Sequence, residues 1–340
     1  MIEKSLTYSS IQMFKACRKK YQYKYVMGLV PVEKPLYFST GAAFHVALES
    51  HYKGQKPDQS ISLIENYFNE NMPGSDDLER FEKWDSEKRL TVALFCRYLE
   101  YYQMGEFWVI DTEKQFNVPI INPETGRAGM VFDIAGKIDL LVKVNGLYWI
   151  VEHKTAGVIN SLYKKKLTMD AQSILYIEAM ERSLNIKIQG VIYNVILKAV
   201  PKKPGLLKAG GLSTSRSQCT TLELFKKSIS ENFLDESDYT EYLDFLSRNR
   251  KEYFYREYLT FTPEDIAEWR RELWDIQQDI RKCENENRYY KNTNQCTNYG
   301  VCSYFDICSA IDRESVIESS FKRLETVNTE LETESQAEVF

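Results

Sequence analysis

The chain has 340 residues, 43% hydrophobic and 13% aromatic, with 44 Lys/Arg against 49 Asp/Glu for a net charge of −5. That length supports one large or two modest domains with a sizeable core. No apolar run approaches the roughly 20 residues a membrane helix needs, and the start MIEKSLTYSS carries no apolar signal region, so a cytoplasmic protein is expected.

The negative charge is local. Residues 312–340 hold eight Asp/Glu and three Lys/Arg, and the other residues balance at 41 against 41. Residues 160–210 hold nine Lys/Arg against three Asp/Glu. A near-neutral body with one basic stretch is compatible with a phosphate-backbone partner, and Lys164, Lys165 and Lys166 are its densest part. A solvated lysine-rich loop has the same composition. Seven cysteines in a reducing compartment argue for metal ligands or free thiols rather than disulfides.

In chain order, residues 7–27 read as a helix capped by Thr7 or Ser9 and ended by Gly28. Residues 41–52 read as a second helix with Thr40 as its cap, and 59–71 and 78–104 as two more, parted by Pro73-Gly74. A strand is predicted over 107–119, then a turn at 122–126, then a hairpin. Residues 168–184 predict a helix, and Ile188–Leu197, apolar on both faces, a buried strand. Residues 201–217 read as a mobile loop, 219–233 and 238–250 as helices, and 253–261 as a strand. Thr262-Pro263 opens a helix that runs to about residue 288. After the cysteines of 296–308, the acidic tail 313–340 is expected to form a short helix at most and then to be disordered. There is no G-x-x-x-x-G-K-[ST] loop, so an NTP-driven motor of that type is excluded.

The chemistry concentrates in the hairpin. Asn145-Gly146 between two β-branched runs is the signature of a two-residue turn with φ > 0 at both central positions. If Val144 faces Leu147, Asp139 lies directly opposite Glu152. Partners in that register sit roughly 4.5–5.5 Å apart at Cβ, where like charges repel. A divalent cation between them converts that repulsion to attraction. Alternation puts Ile138, Leu140, Val142, Val144, Leu147, Trp149 and Val151 on a core face, and Asp139, Glu152 and Lys154 together on the other. The His153 ring then points away, though its backbone carbonyl could reach a metal. Two carboxylates on facing strands suit one or two hard divalent ions, and Lys154 could orient a water or neutralise developing charge.

Three other groups stand out. Gly41-Ala-Ala-Phe-His45 puts a histidine on a helix. Gln172 and Tyr176, four apart, share a helix face. Cys296-x5-Cys302-x5-Cys308, with remote Cys17, offers four thiolates for zinc or an iron–sulfur cluster, although the gaps exceed those of zinc knuckles. Cys96, Cys219 and Cys283 fall in helical patterns and read as packing.

Taken in order, these residues resemble the RecB-like, iron–sulfur branch of the PD-(D/E)XK nuclease superfamily, over roughly residues 5–310. The resemblance runs from Tyr8-Ser-Ser-Ile-Gln-Met-Phe-Lys-Ala-Cys17 through Gly41…His45, Gly136-Lys-Ile-Asp139, Glu152-His-Lys154 and Gln172…Tyr176 to the closing cysteines. It implies an α/β fold: a central mixed sheet flanked by helices, in a single nuclease domain over 1–312 with a helical insertion near 55–105. It implies His45, Asp139 and Glu152 as ligands of Mg2+ or Mn2+, Lys154 as the catalytic lysine, and Gln172 and Tyr176 as supports for DNA or the scissile phosphate. It also implies a [4Fe–4S] cluster on Cys17, Cys296, Cys302 and Cys308, within a segment of about 290–310 that ties the N-terminal helix to the C-terminal end. The activity implied is a DNA exonuclease of recombination, repair or phage DNA processing, in a bacterial cell or phage-infected host. Alternatives are an endonuclease, a CRISPR-adaptation-type nuclease, a DNA-binding subunit serving a helicase, and a zinc-stabilised module.

Overall fold

A computed structural model describes residues 4–32, 39–73, 77–102, 105–248, 253–298, 300–324, 328 and 331. The described chain begins with β1 (Lys4–Leu6), α1 (Tyr8–Ala16), α2 (Arg18–Tyr21), a π-turn over Gln22–Val26 and β2 (Leu29–Pro31). Three helices follow, α3 (Ser39–Tyr52), α4 (Pro57–Glu70) and α5 (Leu78–Tyr101). Then come β3 (Trp108–Ile121), β4 (Ala128–Val144), β5 (Leu147–Ala156), α6 (Ser161–Thr168), α7 (Ala171–Leu184) and β6 (Ile188–Leu197). The chain continues with α8 (Leu222–Glu231), α9 (Thr240–Arg248), β7 (Phe254–Leu259), α10 (Pro263–Glu286), α11 (Phe305–Ser309), α12 (Arg313–Ser320) and β8 (Phe321–Arg323).

Six strands form one mixed sheet in the order β1-β4-β5-β6-β7, with β3 paired to β4. The β1–β4 and β5–β6 pairs are parallel, and β3–β4, β4–β5 and β6–β7 antiparallel. Helices cover both faces. On one, Ile11 and Phe14 of α1, Leu175 and Met180 of α7, and Trp269 and Ile280 of α10 pack with Leu141, Ile150 and Tyr193 of the sheet. On the other, Phe44 and Leu48 of α3, Ile64 and Phe68 of α4, and Leu94 and Tyr98 of α5 pack with Ile196. Burial on both sides explains why the hairpin face that carries Asp139, Glu152 and Lys154 also carries apolar Leu141 and Ile150. Leu141 and Ile150 are as buried as Leu140 and Val151 on the predicted core face.

The hairpin turn carries positive φ at Asn145 (51°) and Gly146 (82°), which aligns the strands with their right-handed twist. Val144 pairs with Leu147, and the β4–β5 ladder runs down to Leu140↔Val151 and stops there. The pair anticipated next, Asp139 opposite Glu152, falls where the strands part. Beyond it β5 keeps its ladder with β6 alone, and β4 pairs with β1 from Phe132 to Ile134. The catalytic candidates therefore line a split in the sheet, not a closed ladder.

Several boundaries differ from the expectation for physical reasons. The helix predicted over 7–27 breaks at Cys17, whose backbone is extended (φ −159°, ψ 110°). There Asn292 crosses the chain and its side chain donates to the Ala16 carbonyl at 2.9 Å, a tertiary replacement for the next helical bond. Thr7 caps α1, accepting from the Ser10 N–H at 3.2 Å. Thr40 lies inside α3 and its hydroxyl turns to Glu87 of α5 instead of capping. The helix predicted over 168–184 starts at Ala171, because Asp170 caps it by accepting from the Gln172 N–H at 3.1 Å. In the predicted loop 201–217, Leu206 bridges Leu212, and Leu212 is buried against Phe225 and Tyr239.

The short helix expected in the tail is α12, and the chain then departs from the expected disorder: β8 pairs antiparallel with β2, Phe321 opposite Pro31 and Arg323 opposite Leu29. Phe321 stacks on Tyr304 at 5.6 Å, an apolar anchor that composition averaged over an acidic tail conceals. The disorder expected of residues 332–340 lies outside the described residues.

Candidate active site

A cleft of about 820 Å³ opens where β4 and β5 part. Its walls include Tyr8 of α1, His45 and Glu49 of α3, Glu113 of β3, Lys137 and Asp139 of β4, Glu152 of β5 and Tyr176 of α7. Gly136 makes room for this wall. A Cβ there would lie 2.4 Å from the Phe116 ring, which meets Tyr176 edge-on at 5.5 Å.

β4 and β5 each bring one carboxylate to the cleft, Asp139 and Glu152. Asp139 Oδ2 accepts the His153 backbone N–H at 2.7 Å, and its Oδ1 lies 3.4 Å from His45 Nδ1. Burial works to raise the Asp139 carboxyl, but the His45 charge and the His153 N–H outweigh it and hold it well below the usual range. Burial likewise opposes a charge on His45, and Asp139 overcomes it, lifting the imidazole to about 9. Glu152 Oε1 accepts from Lys154 Nζ at 2.8 Å and from Gln172 Nε2 at 3.1 Å. Its Oε2 is buried and has no partner. Burial pushes the Glu152 carboxyl up to about 7, against Lys154 and with help from Asp139. Burial opposes the charge on Lys154 as well, yet Glu152 raises it, so Lys154 stays an ammonium.

Gln172 and Tyr176 are not a helix surface. Both are buried. The Gln172 amide accepts from Lys154 Nζ at 2.7 Å and donates to Tyr176 Oη at 2.8 Å and to Glu152, so it sets the lysine and the carboxylate relative to each other. The His153 ring is buried on the opposite side of β5, with its Nδ1 3.1 Å from Asn194 Nδ2, and burial drives it down to about 3. Among the three neighbouring lysines, Lys165 and Lys166 are exposed on α6, whereas Lys164 Nζ sits 4.0 Å over the Tyr255 ring.

Sequence reasoning missed several groups that the fold adds. Asp170 accepts from Tyr8 Oη at 2.6 Å and from Tyr193 Oη at 2.9 Å, so one carboxylate links α1, α7 and β6 near Lys154. Its position just ahead of a helix was the available signal. Glu49 lies one turn past His45 on the same face of α3 and pairs with Lys53, a spacing the sequence displays. Glu113 pairs with Lys137 from a backbone at φ 51°, which no sequence pattern announces.

The donor set suits a hard divalent ion: two carboxylates, an imidazole, and a buried carboxylate oxygen that nothing in the protein satisfies. Among the described residues, no three His, Cys, Asp or Glu side chains already converge as a metal cage. In the cysteine region Cys17 Sγ receives the Asn292 backbone N–H at 3.4 Å, and the Cys302 N–H donates to the Cys296 carbonyl at 2.8 Å. Burial raises the Cys308 thiol, and nearby Cys302 and Cys17 add to the rise. Cys17, Cys302 and Cys308 thus lie near one another, but among the described residues the thiols do not converge as a metal cage.

The model of the PD-(D/E)XK nuclease superfamily matches residues 5–309. The chain belongs to the PD-(D/E)XK nuclease superfamily. Among solved structures it is similar to one titled "Putative exonuclease" from Eubacterium rectale, at 12% identity and a TM-score of 0.37, covering 71% of this chain and 82% of that one. No curated protein matches it. Among the described residues no helix is long and apolar enough to cross a membrane.

Proposed function

We propose that this superfamily member is a divalent-metal-dependent DNA nuclease, an exonuclease acting on DNA ends or single strands in recombination, repair or phage DNA processing. The observation that carries the reading is Glu152: one carboxylate oxygen is fixed by Lys154 and Gln172, and the other is buried, unsatisfied and on the wall of the cleft. A buried carboxylate oxygen without a partner is costly unless a cation meets it. Asp139, Glu152, His45 and the His153 backbone carbonyl would hold Mg2+ or Mn2+. The ion, when bound, supplies charge neutralisation and an acidified water. Lys154 holds its ammonium beside the carboxylate, where it can donate to a phosphate oxygen or orient the attacking water. Gln172 keeps that ammonium from turning away, and Tyr176 holds the amide.

Cys17, Cys296, Cys302 and Cys308 are proposed to hold a [4Fe–4S] cluster that ties the end of α1 to the segment of about 290–310, with zinc as the other ion four thiolates suit. Lys165 and Lys166 would meet the DNA backbone. The test is incubation of the purified protein with end-labelled single- and double-stranded DNA in Mg2+, Mn2+ or EDTA. Stepwise release of nucleotides that needs the metal supports the reading. Cleavage that survives excess EDTA overturns it.

A further inference from the structure

Behind the carboxylates lies a buried polar chain that the proposed chemistry does not use. It starts at the His153 ring, which is 2% exposed. Asn194 is fully buried, and its side-chain nitrogen lies 3.1 Å from His153 Nδ1 and 2.6 Å from Tyr98 Oη. Tyr98 Oη meets Tyr52 Oη at 2.6 Å. The Tyr52 ring then returns to stack on the imidazole, centroids 5.7 Å apart and planes 21° from parallel. His45 meets the same imidazole edge-on at 6.2 Å.

The chemistry of this chain is directional. With the Asn194 nitrogen donating, His153 Nδ1 accepts and the neutral ring carries its proton on Nε2, which like Asn194 Oδ1 is buried without a hydrogen-bond partner among the described residues. The four members come from four elements. Tyr52 closes α3, two turns after His45. Tyr98 belongs to α5, Asn194 to β6 and His153 to β5. His153 in turn donates its backbone N–H to Asp139.

We propose that this chain is the positioning apparatus of the metal site, and that the α4–α5 insertion serves to complete it. Tyr98, Tyr52 and Asn194 hold His153 in one tautomer and one orientation. His153 then sets Asp139 through its backbone N–H, and the His45 helix through its ring. The inference rests on the reading of Asp139 and His45 as ligands of a divalent ion. None of the three network residues touches the cleft, so they are positioning residues. Outer-shell partners of this kind typically change metal affinity or activity by about 10–100-fold. A network that merely satisfies buried polar atoms would change melting temperature and leave ion affinity alone.

Calorimetric titration of Mn2+ into the full chain separates the two. Tyr98→Phe and Tyr52→Phe each remove one hydroxyl and keep the ring, and are expected to weaken Mn2+ binding by about tenfold or more. Ser60→Ala is the control: Ser60 is buried in the same insertion and donates to Ser50 Oγ at 2.9 Å, away from the chain. It is expected to lower the melting temperature and keep wild-type affinity. Folded Tyr98→Phe or Tyr52→Phe protein with wild-type affinity overturns the inference. A wild-type protein that binds no Mn2+ overturns instead the metal reading beneath it. Should both variants fail to fold, nitrogen-15 spectra of the three histidines in wild-type protein decide: a His153 proton on Nε2 is expected, and a proton on Nδ1 overturns the network.

Discussion

The carboxylate end and the cysteine end of the molecule are built on opposite plans. At the carboxylate end the protein has already placed its charged groups against one another. Lys154 is gripped by Glu152 and Gln172, Gln172 by Tyr176, and Asp139 by His153 and His45. Of the four oxygens of Asp139 and Glu152, Glu152 Oε2 is left over. At the cysteine end, Cys302 and Cys17 lie near Cys308, whose thiol is raised by burial first and by these neighbours second. The first arrangement is preorganised by side-chain hydrogen bonds, so a ligand adds catalysis to a frame that stands without it. At the second, the proposed metal group would itself tie the remote segments together, so it would add the frame.

The most direct way to break the comparison is Glu152→Gln. The amide can keep partners at Lys154 and Gln172 but loses the charge facing the cleft. Cleavage is expected to fall by more than about 100-fold, beyond the span of outer-shell changes, with the circular dichroism spectrum nearly unchanged. Activity near wild type would place the metal elsewhere.

Lys154→Ala sharpens it. Removing one partner strands a buried carboxylate, and such losses reach about 3–5 kcal/mol. The metal-free variant should melt well below wild type. Its divalent affinity should stay near wild type, so saturating Mg2+ should recover part of the stability by binding the folded state. Differential scanning calorimetry with and without Mg2+ reads both effects.

The cysteine end should respond in the other order, stability first. Protein purified without oxygen is expected to be brown, and serine at Cys17, Cys296, Cys302 or Cys308 to bleach it and lower the melting temperature. Serine at Cys96, Cys219 or Cys283 should do neither. One equivalent of zinc and no iron by elemental analysis would replace the cluster with a zinc site, and a full metal complement without Cys17 would remove that residue from the set.

Gly136→Ala probes the cleft wall. Its new methyl group meets Phe116, and overpacking of this kind costs about 1–3 kcal/mol. Because Phe116 packs on Tyr176, the variant should also lose turnover. The smallest effect belongs to Lys165 and Lys166. Neutralising both should weaken DNA binding and flatten its salt dependence by about 0.9 in log–log slope for each phosphate that the protein no longer neutralises. An unchanged slope would return them to the solvated surface.

What the sequence determined by itself is local. Asn145-Gly146 dictates the turn through its positive φ values, and the turn dictates the register down to Leu140↔Val151. Alternation then places Glu152 and Lys154 on one face and the His153 ring on the other. Helical spacing placed Gln172 beside Tyr176. All of these follow from neighbours a few residues apart, where the backbone period leaves little freedom. Only the tertiary structure decided that the ladder opens just before Asp139, because that depends on β1 pairing with β4 at Phe132–Ile134, further along the strand from the stretch that β5 holds at Leu140–Val144. It alone brought His45 to Asp139, Tyr8 to Asp170 and Tyr98 to Asn194. It also broke the first helix at Cys17, where a residue remote in sequence takes the carbonyl that the helix would have used. These meetings join elements far apart in the chain. The sum of packing on both faces of the sheet selects them, and no period within one segment carries that sum.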